Sequence, residues 1–181
     1  MTAALLVIDV QQGFLDPGWG TSANPECEEN IRRLLSSWRS RGLPVVLVRH
    51  DSSEPESPLR PGQPGNSFME GIDGPHDLLV TKSVNSAFYG SPDLNGWLRD
   101  QGIHDLVICG ITTNHCCETT ARMAGNLGYN VTFVIDATRT FDRVGPDGRI
   151  FTAAELAAVT AANLDGEFAS VVTTVEALEL H

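Results

Sequence analysis

Two adjacent cysteines, Cys116 and Cys117, stand where a short apolar run gives way to a helical pattern, in the segment Val107-Ile-Cys-Gly-Ile-Thr-Thr-Asn-His-Cys-Cys-Glu-Thr-Thr-Ala-Arg122. A thiol in the first turn of a helix lies near unsatisfied backbone N–H groups, which favour its anion and make Cys116 a candidate nucleophile. Leu106-Val-Ile-Cys109 has the β-branched composition of a strand covered on both faces of a parallel sheet, and Gly110 interrupts it. From His115 the spacing turns helical. Glu118, Arg122 and Asn126 share a polar face, Cys117, Ala121 and Ala124 can pack inward, and Gly128 supplies a stop. An intracellular cysteine is also commonly a small buried hydrophobe, so this segment alone leaves both readings of Cys116 open.

The elements that would position such a thiol alternate along the chain. Strands are predicted at Ala3 to Ile8, Pro44 to Val48, Asp77 to Thr81, Asp105 to Cys109, Asn130 to Ile135 and Ala169 to Thr173. Between them, Asn24-Pro25 and Ser91-Pro92 read as caps followed by proline at the first helical position. Thr152-Ala-Ala-Glu155 reads as a capping box for an alanine-rich helix, and a short helix follows from Val175. The alternation predicts an α/β fold: a doubly wound, mostly parallel six-stranded sheet with helices on both faces, in one domain spanning 1–181. Residues 50–76 break the rhythm with proline, glycine and serine, and are expected to form a lid or binding loop.

Ligands of open parallel sheets bind beyond the carboxyl ends of the strands. That rule gathers Asp9, after the first strand, Lys82, at the end of the third, and Cys116, after the fourth. Singly, Asp9 could be a turn cap and Lys82 a solvated charge. Together they offer a thiol its proton acceptor and a positive neighbour.

Composition narrows the partners. A chain of 181 residues that is 41% hydrophobic can bury one substantial core. A formal net charge of -11 argues against nucleic acid and against an anionic membrane, which leaves a small-molecule substrate as the expected partner. The N-terminal residues lack the basic region of a signal peptide and no apolar run reaches membrane-spanning length, so a cytoplasmic location is expected. Cysteines 27, 109, 116 and 117 give neither zinc-knuckle spacing nor a disulfide framework. No dinucleotide or phosphate-loop fingerprint is present, and no organic cofactor is expected.

Three motifs resemble those of the isochorismatase-like cysteine hydrolases, the superfamily of nicotinamidases and N-carbamoylsarcosine amidase. They are Asp9-Val-Gln11-Gln-Gly-Phe14, Lys82-Ser-Val-Asn-Ser-Ala-Phe-Tyr89 and Gly110-Ile-Thr-Thr-Asn-His-Cys116, with Glu118-Thr-Thr-Ala-Arg122 continuing the third. The similarity covers almost the whole chain and implies that fold. It also implies hydrolysis of a C–N bond in a small amide, carbamoyl or cyclic amide substrate, through a thioester on Cys116. Asp9 would move the proton, Lys82 would stabilise the thiolate, and the backbone N–H groups of Thr112 and Cys116 would form the oxyanion hole. The family also carries a cis peptide at the position of Ile111-Thr112 and commonly assembles as homo-oligomers. A homo-oligomer is therefore expected, with the long loop poorly equipped to pack on its own domain.

Register assigns the nucleophile to Cys116, since Cys117 takes the place of an aliphatic residue behind it. Adjacent helical cysteines point about 100° apart, which suits a disulfide badly. Gln11, Phe14, Phe88, Tyr89 and His115 are the candidate substrate-binding residues, with Trp19 a further aromatic near the site. Each aromatic could instead be ordinary core. The metal-bearing nicotinamidases carry an aspartate, a histidine two residues on and further histidines, whereas this chain has His50-Asp51-Ser-Ser53 and His76, so a metal site is not expected. Isochorismatases that cleave a vinyl ether lack the cysteine. An ether hydrolase, a metabolite-binding pseudoenzyme and a thiol redox protein are the competing readings.

Overall fold

The structure, a computed structural model, describes residues 2–181. In chain order its strands are β1 (Ala3–Ile8), β2 (Val45–His50), β3 (Leu78–Lys82), β4 (Asp105–Ile111), β5 (Asn130–Arg139), β6 (Arg143–Val144), β7 (Ile150–Phe151) and β8 (Ser170–Val172). The α-helices are α1 (Cys27–Ser40), α2 (Leu94–Asp100), α3 (Glu118–Asn126), α4 (Ala153–Leu164) and α5 (Thr174–Leu180). Six strands form one parallel sheet in the order β3-β2-β1-β4-β5-β8, and β6 and β7 pair as a separate antiparallel ribbon. The α/β fold with a six-stranded parallel sheet and helices is therefore the observed one.

Strand β1 lies at the centre of this sheet, and all six of its residues are buried. Side chains alternate between faces along a strand. Accordingly Leu5 and Val7 pack with Ile31, Leu34, Leu35 and Trp38 of α1 on one side. Leu6 and Ile8 pack with Leu94 and Leu98 of α2 and Ala121 and Ala124 of α3 on the other. A chain apolar at every position can only be satisfied between two layers; each such leucine or isoleucine contributes about 1.5 to 3 kcal/mol of burial. Among the described residues, no helix is long and apolar enough to cross a membrane.

Several boundaries differ from the sequence reading. Asn24 is not a helix cap: it adopts a left-handed φ of 61° and donates its amide protons to the carbonyls of Asp136 and Thr138, both at 2.7 Å, while α1 starts after Glu26. Pro92 follows a cis bond, and the cap of α2 is Asp93, whose carboxylate accepts from Asn95 N–H at 3.0 Å. Strand β5 runs past Ile135 to Arg139, because its register against β4 slips between Ile108 and Gly110. The capping box of α4 is present as predicted, and Thr173 with Glu176 forms a second one on α5.

The segment 50–76 does pack on its own domain, which corrects the expectation drawn from its composition. Leu59, Met69 and Ile72 are buried in the α1 layer, Met69 N–H donates to Val10 O at 3.0 Å, and Gln12 N–H donates to Ser67 O at 2.8 Å. Polar anchors add to these few apolar residues: Asn66 Nδ2 donates to Leu59 O (2.8 Å), Asp51 Oδ1 (3.0 Å) and His50 O (3.1 Å). Average composition misses such ties because they need only one buried amide and three acceptors.

Candidate active site

Asp9 follows the central strand directly and is fully buried, with a left-handed φ of 52°. Aspartate is among the few side chains that tolerate that conformation. The turn is held by Asp9 N–H donating to Val48 O (2.9 Å) and Gln11 N–H donating back to Asp9 O (2.8 Å). Lys82 ends β3 and is 3% exposed. Cys116, 7% exposed, sits in a π-helical turn over Thr113–Cys117 that leads into α3. Side chains fix that turn, with Thr113 Oγ1 donating to Thr138 Oγ1 (2.9 Å) and Thr140 Oγ1 donating to Asn114 Oδ1 (2.5 Å). The bond Ile111-Thr112 entering it is cis. Ala87 N–H donates to Thr120 Oγ1 at 3.1 Å, which ties the segment after Lys82 to α3.

These elements bring Asp9, Lys82 and Cys116 together. The Lys82 ammonium donates to Asp9 Oδ2 and to Cys116 Sγ at 3.4 Å, and its Nζ lies 3.3 Å from His50 Nδ1. The second carboxylate oxygen, Asp9 Oδ1, is buried and accepts no hydrogen bond among the described residues, so it is free to take a proton. Asp9, His50 and Cys116 each offer an atom within 4.8 Å of the others, but the ammonium stands within hydrogen-bonding distance of all three. A divalent ion there would face a fixed cation, which disfavours it.

The electrostatics correct one expectation. Burial pushes the Cys116 thiol up to about 12, the Asp9 charge adds to that, and Lys82 opposes it. Desolvation and the Asp9 charge work against the acidification expected of a first-turn thiol, and Lys82, which opposes them, already has Asp9 as counter-ion. Burial alone would lower the Lys82 ammonium, but the Asp9 and Cys116 charges outweigh it and hold Lys82 above its ordinary range. Burial likewise raises the Asp9 carboxyl, against the pull of Lys82.

Beside the thiol lies a pocket of about 140 Å³. Phe14, Trp19 and Leu59 form its apolar wall, and Asp9, His50, Asn85, Thr112, His115 and Cys116 its polar one. Trp19 packs on Phe14 and on Phe141 with ring centroids 5.0 and 5.6 Å apart. Thr112 Oγ1 and His115 Nδ1 are 3.2 Å apart. Burial, reinforced by Arg143, holds His115 below the ordinary histidine range against Glu118.

Three of the expected substrate contacts are elsewhere. Gln11 is fully buried and spends its amide on backbone, donating to Asn66 O (2.9 Å) and His50 O (3.0 Å) and accepting from His50 N–H (2.8 Å). Phe88 stacks on Tyr129 at 5.9 Å in the α2–α3 layer, and Tyr89 is 71% exposed. Both lie in a 3-10 turn, Ala87–Tyr89, that carries them away from the strand end. Leu59 and Asn85 were missed. Asn85 falls inside the lysine motif and accepts from the Cys116 thiol at 3.6 Å, whereas nothing in the local sequence marks Leu59.

Comparison with known proteins is consistent across sequence and structure. The family model for the isochorismatase domain matches residues 3–165. The isochorismatase family protein YrdC of Bacillus subtilis (strain 168) is 39% identical over 173 residues, 94% of this chain and 91% of the relative. Nicotinamidase 3 of Arabidopsis thaliana is 33% identical over 155 residues, 77% of this chain and 74% of the relative. A crystal structure of an isochorismatase-family protein from Chromobacterium violaceum ATCC 12472 is similar at a TM-score of 0.94 and 42% identity, covering 98% of this chain and 92% of that one.

Proposed function

The chain belongs to the isochorismatase family of hydrolases, and from that premise we propose that it cleaves a C–N bond of a small amide, carbamoyl compound or cyclic amide with Cys116 as nucleophile. One observation carries this reading: the Lys82 ammonium hydrogen-bonds both the Asp9 carboxylate and the Cys116 sulfur at the wall of a small pocket. A relative named for nicotinamide hydrolysis supports the substrate class. The pocket volume is close to that of an apolar cavity that holds one benzene ring, about 150 Å³, so the acyl part in contact with Phe14 and Trp19 is small.

The chemistry follows from the charges. With burial holding the thiol well above its ordinary range, little resting thiolate is present at pH 7. Proton transfer from Sγ to Asp9 therefore accompanies attack of the sulfur on the carbonyl carbon, and Lys82 balances the charge on both. The carbonyl oxygen takes the electron pair and accepts from the backbone N–H groups of Thr112 and Cys116. Collapse of this intermediate breaks the C–N bond, and Asp9 returns its proton to the departing nitrogen. Water, deprotonated by Asp9, then cleaves the thioester and regenerates the thiol. The direct test is release of ammonia or amine from a panel of neutral amides; turnover of none of them at millimolar concentration would sink the proposal.

Lys82→Met is expected to move the pH profile of Cys116 alkylation upward by about one unit or more, since Lys82 is the charge that opposes burial at the thiol. Iodoacetamide labelling with mass mapping reads this, and an unchanged profile would remove Lys82 from the mechanism. Prolonged treatment with a strong chelator is expected to leave turnover and melting temperature unchanged, because the ammonium already holds the position between Asp9, His50 and Cys116. Loss of activity restored by one particular divalent metal would contradict it.

A further inference from the structure

His50 stands in the cluster around Lys82, yet the proposed reaction gives it no task. Parallel pairing sets His50 on β2 in register with Lys82 on β3. An ammonium group has three protons and no acceptor of its own. Here three acceptors surround it: the Asp9 carboxylate, Cys116 Sγ at 3.4 Å and His50 Nδ1 at 3.3 Å. For Nδ1 to accept, the ring proton must reside on Nε2 and the imidazole must be neutral. Burial first, then the Lys82 charge, holds His50 below the ordinary histidine range, with Asp9 and Asp51 opposing. The titratable groups facing the ring are Lys82, Asp9, Asp51 and the Cys116 thiol, and Asp51 is itself engaged by Arg49 at 2.8 and 3.1 Å.

The backbone of His50 is also held tightly. The buried Gln11 amide takes both its N–H (2.8 Å) and its C=O (3.0 Å), and Asn66 Nδ2 donates to the same carbonyl at 3.1 Å. Two side-chain amides, on the buried residues Gln11 and Asn66, thus fix the backbone that carries the imidazole.

We propose that His50 is a positioning residue: by accepting the third proton of the Lys82 ammonium, which is already hydrogen-bonded to Asp9, it keeps the remaining proton of Nζ directed at Cys116. The proposal rests on Cys116 being the nucleophile and Lys82 its electrostatic partner.

The test compares wild type, His50→Leu, His50→Asn, Lys82→Met and the double variant His50→Leu/Lys82→Met. Two readouts are used: iodoacetamide alkylation of Cys116 across pH in the free protein, and kcat and KM on an amide that the wild type hydrolyses. His50→Leu is expected to slow Cys116 alkylation about tenfold at pH 8 and shift its profile upward, as groups in direct contact typically couple. The value of kcat should fall in parallel, with KM changed by less than about threefold. His50→Asn is expected to restore most of both, because its amide oxygen can stand where Nδ1 stands. In the Lys82→Met background the leucine should add little, since the group it acts through is gone.

Three results would overturn the proposal: alkylation equal in wild type and His50→Leu, an asparagine variant no better than leucine, or a rise in KM with alkylation unchanged, which would make His50 a substrate contact. Thermal melting of each variant identifies loss of fold, and the asparagine variant decides the matter if leucine unfolds the chain. A thiol insensitive to Lys82→Met would sink the nucleophile reading and this proposal together. A thiol sensitive to Lys82 but not to His50 would sink this proposal alone.

Discussion

Cys116→Ala is expected to lower amide turnover by about 10⁴-fold or more, because a nucleophile acting with its base as one unit leaves only binding and oxyanion contacts when removed. Cys117→Ala should keep turnover within about tenfold, since its effect is confined to packing and a small residual cavity. The two side chains differ in surroundings, not in kind. Cys116 opens onto the pocket and touches Lys82, while Cys117 is fully buried in the α2–α3 layer, with its thiol raised well above the ordinary range first by desolvation. Steady-state assays on both variants, with circular dichroism to establish folding, settle the assignment. Comparable loss in two folded variants would mean that position 116 is not the nucleophile.

The largest effect on stability is expected from Gly110→Ala. Gly110 has a φ of +134°, and an added Cβ would stand 2.0 Å from Ile8 O and 2.7 Å from Ile8 N, backbone atoms of the central strand. Neither side can yield, because β1 and β4 both lie inside the sheet with strands on each flank. A loss of more than about 4 kcal/mol is expected, the range reached by forced backbone strain together with overpacking. Urea denaturation measures it, and failure to obtain soluble protein is the extreme form of the same result. Gly102→Ala is the control: φ is also positive, at +64°, but the added carbon meets nothing within 4 Å, so a loss of about 1 kcal/mol is expected. Equal losses would mean that the close approach of β4 to β1 is not what position 110 provides.

The sheet was readable from the sequence because its central strands hold near-continuous apolar runs and its first helix carries a stripe, and these patterns belong to single segments. The three strand-end residues were readable for a related reason: topology alone decides which end of a parallel strand faces the ligand. What escaped were contacts that depend on two distant segments meeting. Leu59 reaches the pocket from a stretch whose composition suggests a loose loop, and it does so only because Asn66 and Gln11 pin that stretch to β2. Gln11 sits beside Asp9 in sequence and so looked like a substrate contact, yet its amide is consumed by backbone. Phe88 and Tyr89 follow Lys82 closely, but the 3-10 turn at Ala87–Tyr89 lays one, half-buried, against the core and turns the other to solvent. The burial that works against the Cys116 anion is a property of the whole fold and cannot be seen in the seven residues from Gly110 to Cys116.

The aromatic wall of the pocket has an optical consequence. The chain contains three tryptophans, and they occupy distinct environments. Trp38 is sealed in the α1 layer with its indole N–H on Ala3 O at 3.0 Å, and Trp97 lies with α2 across the sheet. Trp19 alone borders the pocket, half-buried, its indole N–H fixed on Gly13 O at 2.8 Å. A compound that fills the cavity therefore changes the solvent exposure of one fluorophore and leaves the other two as an internal reference. The protein carries its own label for occupancy, and ligands can be found by the colour and intensity of its emission before any assay of product exists.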